Sequence, residues 1–196
     1  MRIAVISEFS ARDKNPMILK ALECVDAEIF NIGMSESGIA DEDLLYIHTG
    51  TMAGLALASG AADFVVGGCG TGQGFLLAAM QFPGVFCGLI ESPLDAWLFS
   101  QINAGNCVSL ALNKGFGWAG DLNLRYIFEK LFCDPAGRGY PVHRQESQQA
   151  SRDALAGIGR ATHREPEAIM KALDPKLMEV VMGHGPFREF MGRYGG

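Results

Sequence analysis

The chain has no apolar run approaching the length of a membrane span, no basic stripe or arm, and no C-x-x-C pair. The first absence argues against a membrane protein, because crossing a bilayer takes about 20 consecutive apolar residues. The second argues against nucleic acid as a partner: sixteen Lys and Arg are scattered through a chain of formal net charge −6, whereas a nucleic-acid surface gathers its cations. The cysteines, Cys24, Cys69, Cys87, Cys107 and Cys133, are odd in number, and their spacing fits neither a disulfide framework nor a zinc site. They read as thiols, most of them buried. No internal repeat or low-complexity tract is visible, and Met1-Arg2 leads straight into strand-like sequence rather than a signal peptide. The expected location is therefore the cytosol. What remains is 196 residues, 48% apolar and 19% charged, enough for one globular core with an appendage.

Short runs rich in Val, Ile and Phe recur with helical stretches between them, at the spacing of βαβ units. The pattern predicts strands at Arg2–Ile6, Ala27–Asn31, Asp63–Gly67, Gly84–Ile90 and Asn106–Leu112. Helices are predicted at Asn15–Val25, Asp41–Ser59, Gly72–Gln81, Ser92–Asn103 and Gly120–Phe132, several with Asn, Asp or Ser at the N-cap. The fold class implied is α/β: a doubly wound, five-stranded parallel sheet in a Rossmann-like three-layer αβα sandwich, with a C-terminal helical extension. Its strands are apolar continuously, as strands covered on both faces are. The α/β domain is assigned residues 1–132. Residues 133–196 form an arm and short helices, such as Glu167–Leu173 and Lys176–Met182, punctuated by Pro166, Pro175 and Pro186. So small a tail has to pack on the main domain or on a second subunit.

Ligands of such sheets bind beyond the carboxyl ends of the strands, which directs attention to the loops after Ile6, Gly67, Ile90 and Leu112. The run Gly67-Gly68-Cys69-Gly70-Thr71-Gly72-Gln73-Gly74 stands where a strand passes into a helix. Glycines there allow close backbone approach, and free amides at a helix start suit an anion or a developing oxyanion. A dinucleotide fingerprint would need a glycine at position 75, which is Phe, and no Gly-Lys-Ser or Gly-Lys-Thr completes a Walker A loop. The plainer alternative is a glycine-rich turn that serves packing alone. Cys69, placed in this loop, is poised for nucleophilic or general-base work; Cys24, Cys87 and Cys107 read as small buried hydrophobes. Glu8, followed by Ser10, Arg12, Lys14 and Asn15, offers hydrogen-bonding groups at the same sheet edge, although Asn15 alone reads equally well as a cap.

The segments "DFVVGGCGTGQG" and "ESPLDAWLFSQINAGN" together resemble the type B ribose-5-phosphate isomerase and galactose-6-phosphate isomerase family, over roughly residues 1–145. The resemblance implies interconversion of an aldose and a ketose through a cis-enediolate, without metal or organic cofactor. It implies Cys69 as the base, Thr71 as its hydrogen-bonding neighbour, and the amides of Gly70, Gly72 and Gly74 around the enediolate. Glu8 falls where the family handles ring hydroxyls with an Asp. Tyr46 and His48 match a Tyr-x-His element, and Asn103 matches a substrate-binding Asn. Arg138 and Arg144 approximate its phosphate-binding arginines. A homodimer, or a dimer of dimers, with shared active sites is implied, Asn103 and the basic arm coming from the partner. Phe9 and Ile102 stand where the family carries histidines for phosphate contact and ring opening. The chain therefore resembles a divergent branch of the family, with a sugar phosphate of the ribose 5-phosphate kind as the small anionic substrate; the alternative within the same reaction class is a carboxylate sugar such as a 4-deoxy-5-hexosulose uronate. A non-catalytic sugar-phosphate or nucleotide-binding module is the alternative of another class.

Overall fold

The computed structural model describes residues 1–35 and 43–195. Five strands, β1 (Arg2–Ser7), β2 (Glu28–Asn31), β3 (Phe64–Cys69), β4 (Cys87–Ile90) and β5 (Cys107–Ala111), form one parallel sheet in the order β2-β1-β3-β5-β4. Each lies within a few residues of its predicted position. β3 is buried along its whole length, as its unbroken apolar sequence requires. It also runs through Gly67 and Gly68 to Cys69, two residues past the predicted end. Both glycines serve packing here: a Cβ on Gly67 would lie 2.0 Å from the Phe75 ring, and one on Gly68 would lie 2.4 Å from the Leu110 carbonyl oxygen. Cys69 is thus the last residue of a core strand rather than part of the loop.

Alternation of side chains along the strands builds two cores. On one face, Ile3, Val5, Phe64, Val66, Val108 and Leu110 meet the apolar sides of α1 (Asn15–Leu22), α4 (Pro93–Leu98) and α5 (Gly120–Phe132). On the other, Ala4, Ile6, Val65 and Cys107 meet α2 (Tyr46–Ala58) and α3 (Gln73–Ala79). The predicted N-cap of α4 is observed, with Ser92 Oγ accepting from the Asp95 amide at 3.2 Å. For α2 the structure places the start at Tyr46, and positions 41 and 42 of the predicted helix lie outside the described residues. Asn15, fully buried, joins Ser7 Oγ and the Asn31 side chain at about 3 Å. Its role is to tie the helix start to two strands, not to meet a ligand.

The tail contains α6 (Gln145–Thr162), α7 (Pro166–Ala172), α8 (Pro175–Gly183) and α9 (Gly185–Tyr194). Val181, Phe187 and Phe190 join the same core as Ala4 and Val65, so α8 and α9 pack on the chain's own sheet. Phe190 and Tyr194 flank Phe30 of β2, with ring centroids 5.0 and 5.1 Å away. α6 buries no residue and lies within the stretch assigned to the arm and short helices. Arg152 fastens it, donating to the Ile102 and Gly137 carbonyls at 2.9 and 3.1 Å. Cys24 and Cys87 depart from the buried reading: Cys24 is exposed, two residues past the end of α1, and Cys87 is half-buried; Cys133 is exposed at the end of α5. No helix among the described residues is long and apolar enough to cross a membrane.

Candidate active site

Strands β1, β3 and β5 end side by side, with Ser7 level with Gly68 and Cys69 level with Ala111. Connections leave this edge toward both faces of the sheet, and the crevice lies where they diverge. Cys69 is 6% exposed, with Sγ 4.0 Å from Thr71 Oγ1. The chain then turns at Gly72, whose φ of +76° only glycine adopts freely, and α3 begins. Thr71 Oγ1 accepts the Gln73 amide at 3.3 Å. The amide of Gly72 reaches back to the Cys69 carbonyl at 3.3 Å, so thiol, hydroxyl and helix start form one tight turn.

Glu8 comes in from β1, buried at 5% exposure, its carboxylate accepting from the Ser10 hydroxyl. A Cβ on Gly70 would lie 3.3 Å from Ser10 Oγ and 3.4 Å from Asn113 Nδ2, so both side chains stand over this glycine. Tyr46 opens α2 with its ring against Gly74, where an added Cβ would come within 2.7 Å of the ring. His48 Nδ1 accepts the Leu45 amide at 3.1 Å, which places the proton of the neutral ring on Nε2 and fixes the helix start. The Phe9 amide bonds the Leu44 carbonyl at 2.8 Å, bringing this element beside Glu8. Cys69, Thr71, Glu8, Gly70, Gly72, Gly74, Tyr46 and His48 are therefore at one edge of one chain.

Asn113 was not singled out from sequence. Its side chain donates to the Ser10 carbonyl at 2.7 Å, while its own amide and that of Lys114 converge on the Gly70 carbonyl at 2.9 and 2.8 Å. Its position just after β5 was the available signal, since any residue there borders the crevice. Lys114 pairs with Glu91 at 2.6 Å. Arg12 lies over the Phe9 ring at 5.0 Å, with Asp43 4.0 Å away.

Asn103, Arg138 and Arg144 are elsewhere. Asn103 ends a π-helical turn, Phe99–Asn103, that extends α4, and Ala104 after it takes the left-handed φ of +47°. This turn precedes β5, at the amino-terminal edge of the sheet. With Cys69 level with Ala111 and the strand starting at Cys107, about 13 Å of β5 separates the two edges. The arm is stitched to the same turn by Gly137 and Gly139 amides on the Ser100 and Gln101 carbonyls, both at 2.9 Å. Arg138 is exposed 3.6 Å from Asp134, and Arg144 Nε donates to Ser147 Oγ at 3.2 Å. Asn103 and Ile102 line a cleft of about 300 Å³ with Cys87, Phe99, Arg152 and Leu155. Asn106, also from that segment, bonds the Phe86 amide and Gly84 carbonyl and so braces the start of β4.

Residues 3–120 match the model of a family described as Ribose/Galactose Isomerase. A 4-deoxy-L-threo-5-hexosulose-uronate ketol-isomerase, crystallised with a tartrate, is 41% identical to the chain with a TM-score of 0.95, over 100% of this chain and 93% of that one. A ribose-5-phosphate isomerase from Vibrio parahaemolyticus is 43% identical with a TM-score of 0.94, again over 100% and 93%. The type B ribose 5-phosphate isomerase of Leishmania infantum shares the fold at 21% identity, with a TM-score of 0.65 over 82% of this chain and 97% of that one. No curated protein sequence matches the chain.

Proposed function

The chain belongs to the ribose/galactose isomerase family, and from that premise we propose that it interconverts an aldose and its ketose through a cis-enediolate, with Cys69 as the proton-transfer base. The observation that carries this is the buried Cys69 thiol at the end of β3, beside the Thr71 hydroxyl of the glycine turn that opens α3. In the aldose-to-ketose direction the thiolate takes the C2 proton, negative charge develops on the enediolate oxygens, the hydroxyl proton passes from O2 to O1, and the thiol returns its proton to C1. With the Gly72 and Gln73 amides engaged by the Cys69 carbonyl and Thr71 Oγ1, the amides of Gly70, Thr71 and Gly74 are the donors of this turn suited to that charge, and burial strengthens them. Glu8, with Ser10 beside it, receives substrate hydroxyls, and Tyr46 and His48 close the side of the crevice.

The anionic end of the substrate is held by Arg138 or Arg144 of a second copy, together with its Asn103, because these groups lie at the opposite sheet edge from Cys69 in any one chain. A homodimer, alone or paired into a dimer of dimers, supplies that arrangement. Of the two anions, a carboxylate on an open-chain sugar suits the chain better: Phe9 and Ile102 provide no imidazole for phosphate contact or ring opening. The uronate isomerase among its relatives favours the same substrate class. A sugar phosphate is the second reading, favoured by the ribose-5-phosphate isomerase that is 43% identical. The test is a screen for aldose–ketose conversion of 4-deoxy-5-hexosulose uronate and ribose 5-phosphate. Conversion of the uronate with little or none of the phosphate is expected. The reverse preference overturns the choice of anion, and inertness toward a panel of both classes points to a binding module.

A further inference from the structure

The middle of β5 holds a hydroxyl that the reaction described above does not use. Ser109 is fully buried and leaves the sheet on the same face as Cys107, among apolar neighbours. A hydroxyl there is costly unless it is paired, and Ser109 Oγ donates to the Gly72 carbonyl at 2.6 Å. That carbonyl belongs to the peptide that begins α3. Because the peptide is planar, orienting its C=O also orients its N–H, the amide of Gln73, on the opposite side. This amide donates to Thr71 Oγ1 at 3.3 Å, and Thr71 Oγ1 lies 4.0 Å from Cys69 Sγ. With a lone pair of Thr71 engaged by Gln73, the hydroxyl proton is left to point at the sulfur.

We infer that Ser109 is a positioning residue for Cys69, acting through the Gly72–Gln73 peptide and the Thr71 hydroxyl to aim a donor at the thiolate. The inference rests on the reading of Cys69 as the base. A hydrogen bond to a charged group is the kind that matters most, and a loosened Gly72 carbonyl lets the Gln73 amide and Thr71 drift together. Ser109→Ala keeps the fold, because the Leu76 amide still reaches the Gly72 carbonyl at 3.3 Å.

The experiment is alkylation of the full-length protein by iodoacetamide, with the Cys69 peptide followed by mass spectrometry so that exposed Cys24 and Cys133 do not obscure it. It needs no sugar. Ser109→Ala is expected to slow Cys69 alkylation by about threefold or more near pH 7, and to leave it unchanged near pH 10, where thiols are ionised regardless. Ser109→Thr, which keeps the hydroxyl, restores the wild-type rate. Thr71→Val cuts the same line without touching the core and gives the same slowing. On the substrate found by the screen, Ser109→Ala lowers kcat with KM unchanged. Wild-type alkylation in Ser109→Ala or in Thr71→Val overturns the inference, and so does equal slowing at both pH values, which signals lost access. Failure of the reading of Cys69 as the base shows separately, as full turnover by Cys69→Ser.

Discussion

Cys69 differs from the other thiols in what surrounds it. Burial against Cys87 pushes the Cys107 thiol well above its ordinary range, and partial burial raises Cys24 and Cys133, whose sulfurs face carbonyls of their own helices at 3.2 and 3.4 Å. Cys69 instead faces the Thr71 hydroxyl, beside the start of a helix. At the same scale, Arg138 and Arg144 have only exposed partners, and surface pairs of this kind contribute little to stability. Replacing either with Met should therefore leave the thermal midpoint unchanged while raising KM about tenfold, since a guanidinium matches an anion with two parallel hydrogen bonds. Steady-state kinetics on the preferred sugar decides this. Wild-type KM in both variants moves the anion site to Arg12 and Lys14, which lie on the loop just beyond Glu8.

Among the elements, α8 and α9 join at His184, whose ring nitrogen lies 3.3 Å from the Gly33 carbonyl, just beyond the strand whose Phe30 packs against Phe190. Burial lowers its pKa below the ordinary imidazole value, only partly offset by the Gly33 and Ile32 carbonyls. The unfolded chain therefore takes up a proton at a pH where the folded chain does not, so stability is lost as pH falls through about 6.5 and levels off below the folded value. His184→Asn should flatten that part of the stability profile measured by urea unfolding; a profile identical to wild type contradicts the assignment. Elements of this kind were legible in sequence to differing degrees. α5 was read residue for residue, because its apolar positions are spaced for one buried face. α9 was missed since Pro186 reads as a breaker, while in the fold it sits in the first turn, where no amide is needed. β3 was cut short at its glycines because nothing local says that Phe75 and Leu110 need the space.

At the scale of the whole molecule, the order of strands decides what one chain can assemble. A β4 outside β5 cannot be read from a sequence in which β4 comes first, whereas the separation of Asn103 from Cys69 follows from a parallel sheet alone, since Asn103 precedes its strand and Cys69 ends its own. The cysteine edge of the proposed site was legible as a place in the fold, because a glycine turn after a strand locates itself. The arginine edge was legible only as residue types, its place being set by arm contacts with Ser100 and Gln101. If the two edges meet across a dimer, Cys69→Ala and Asn103→Ala should each be inactive, yet regain activity when co-refolded. Random reassortment makes about half the dimers mixed with one intact site each, so recovery should approach roughly a quarter of wild type. Mixed dimers that form and stay inactive contradict the shared site. The central claim is proton transfer by Cys69, and its most direct measurement is isomerisation in deuterium oxide followed by proton NMR, with wild type beside Cys69→Ser. The account predicts solvent deuterium at the carbon that accepts the proton in the wild-type product, and a loss of turnover of about 10²-fold or more in Cys69→Ser with sugar binding retained. Turnover and labelling by Cys69→Ser at the wild-type rate would contradict it.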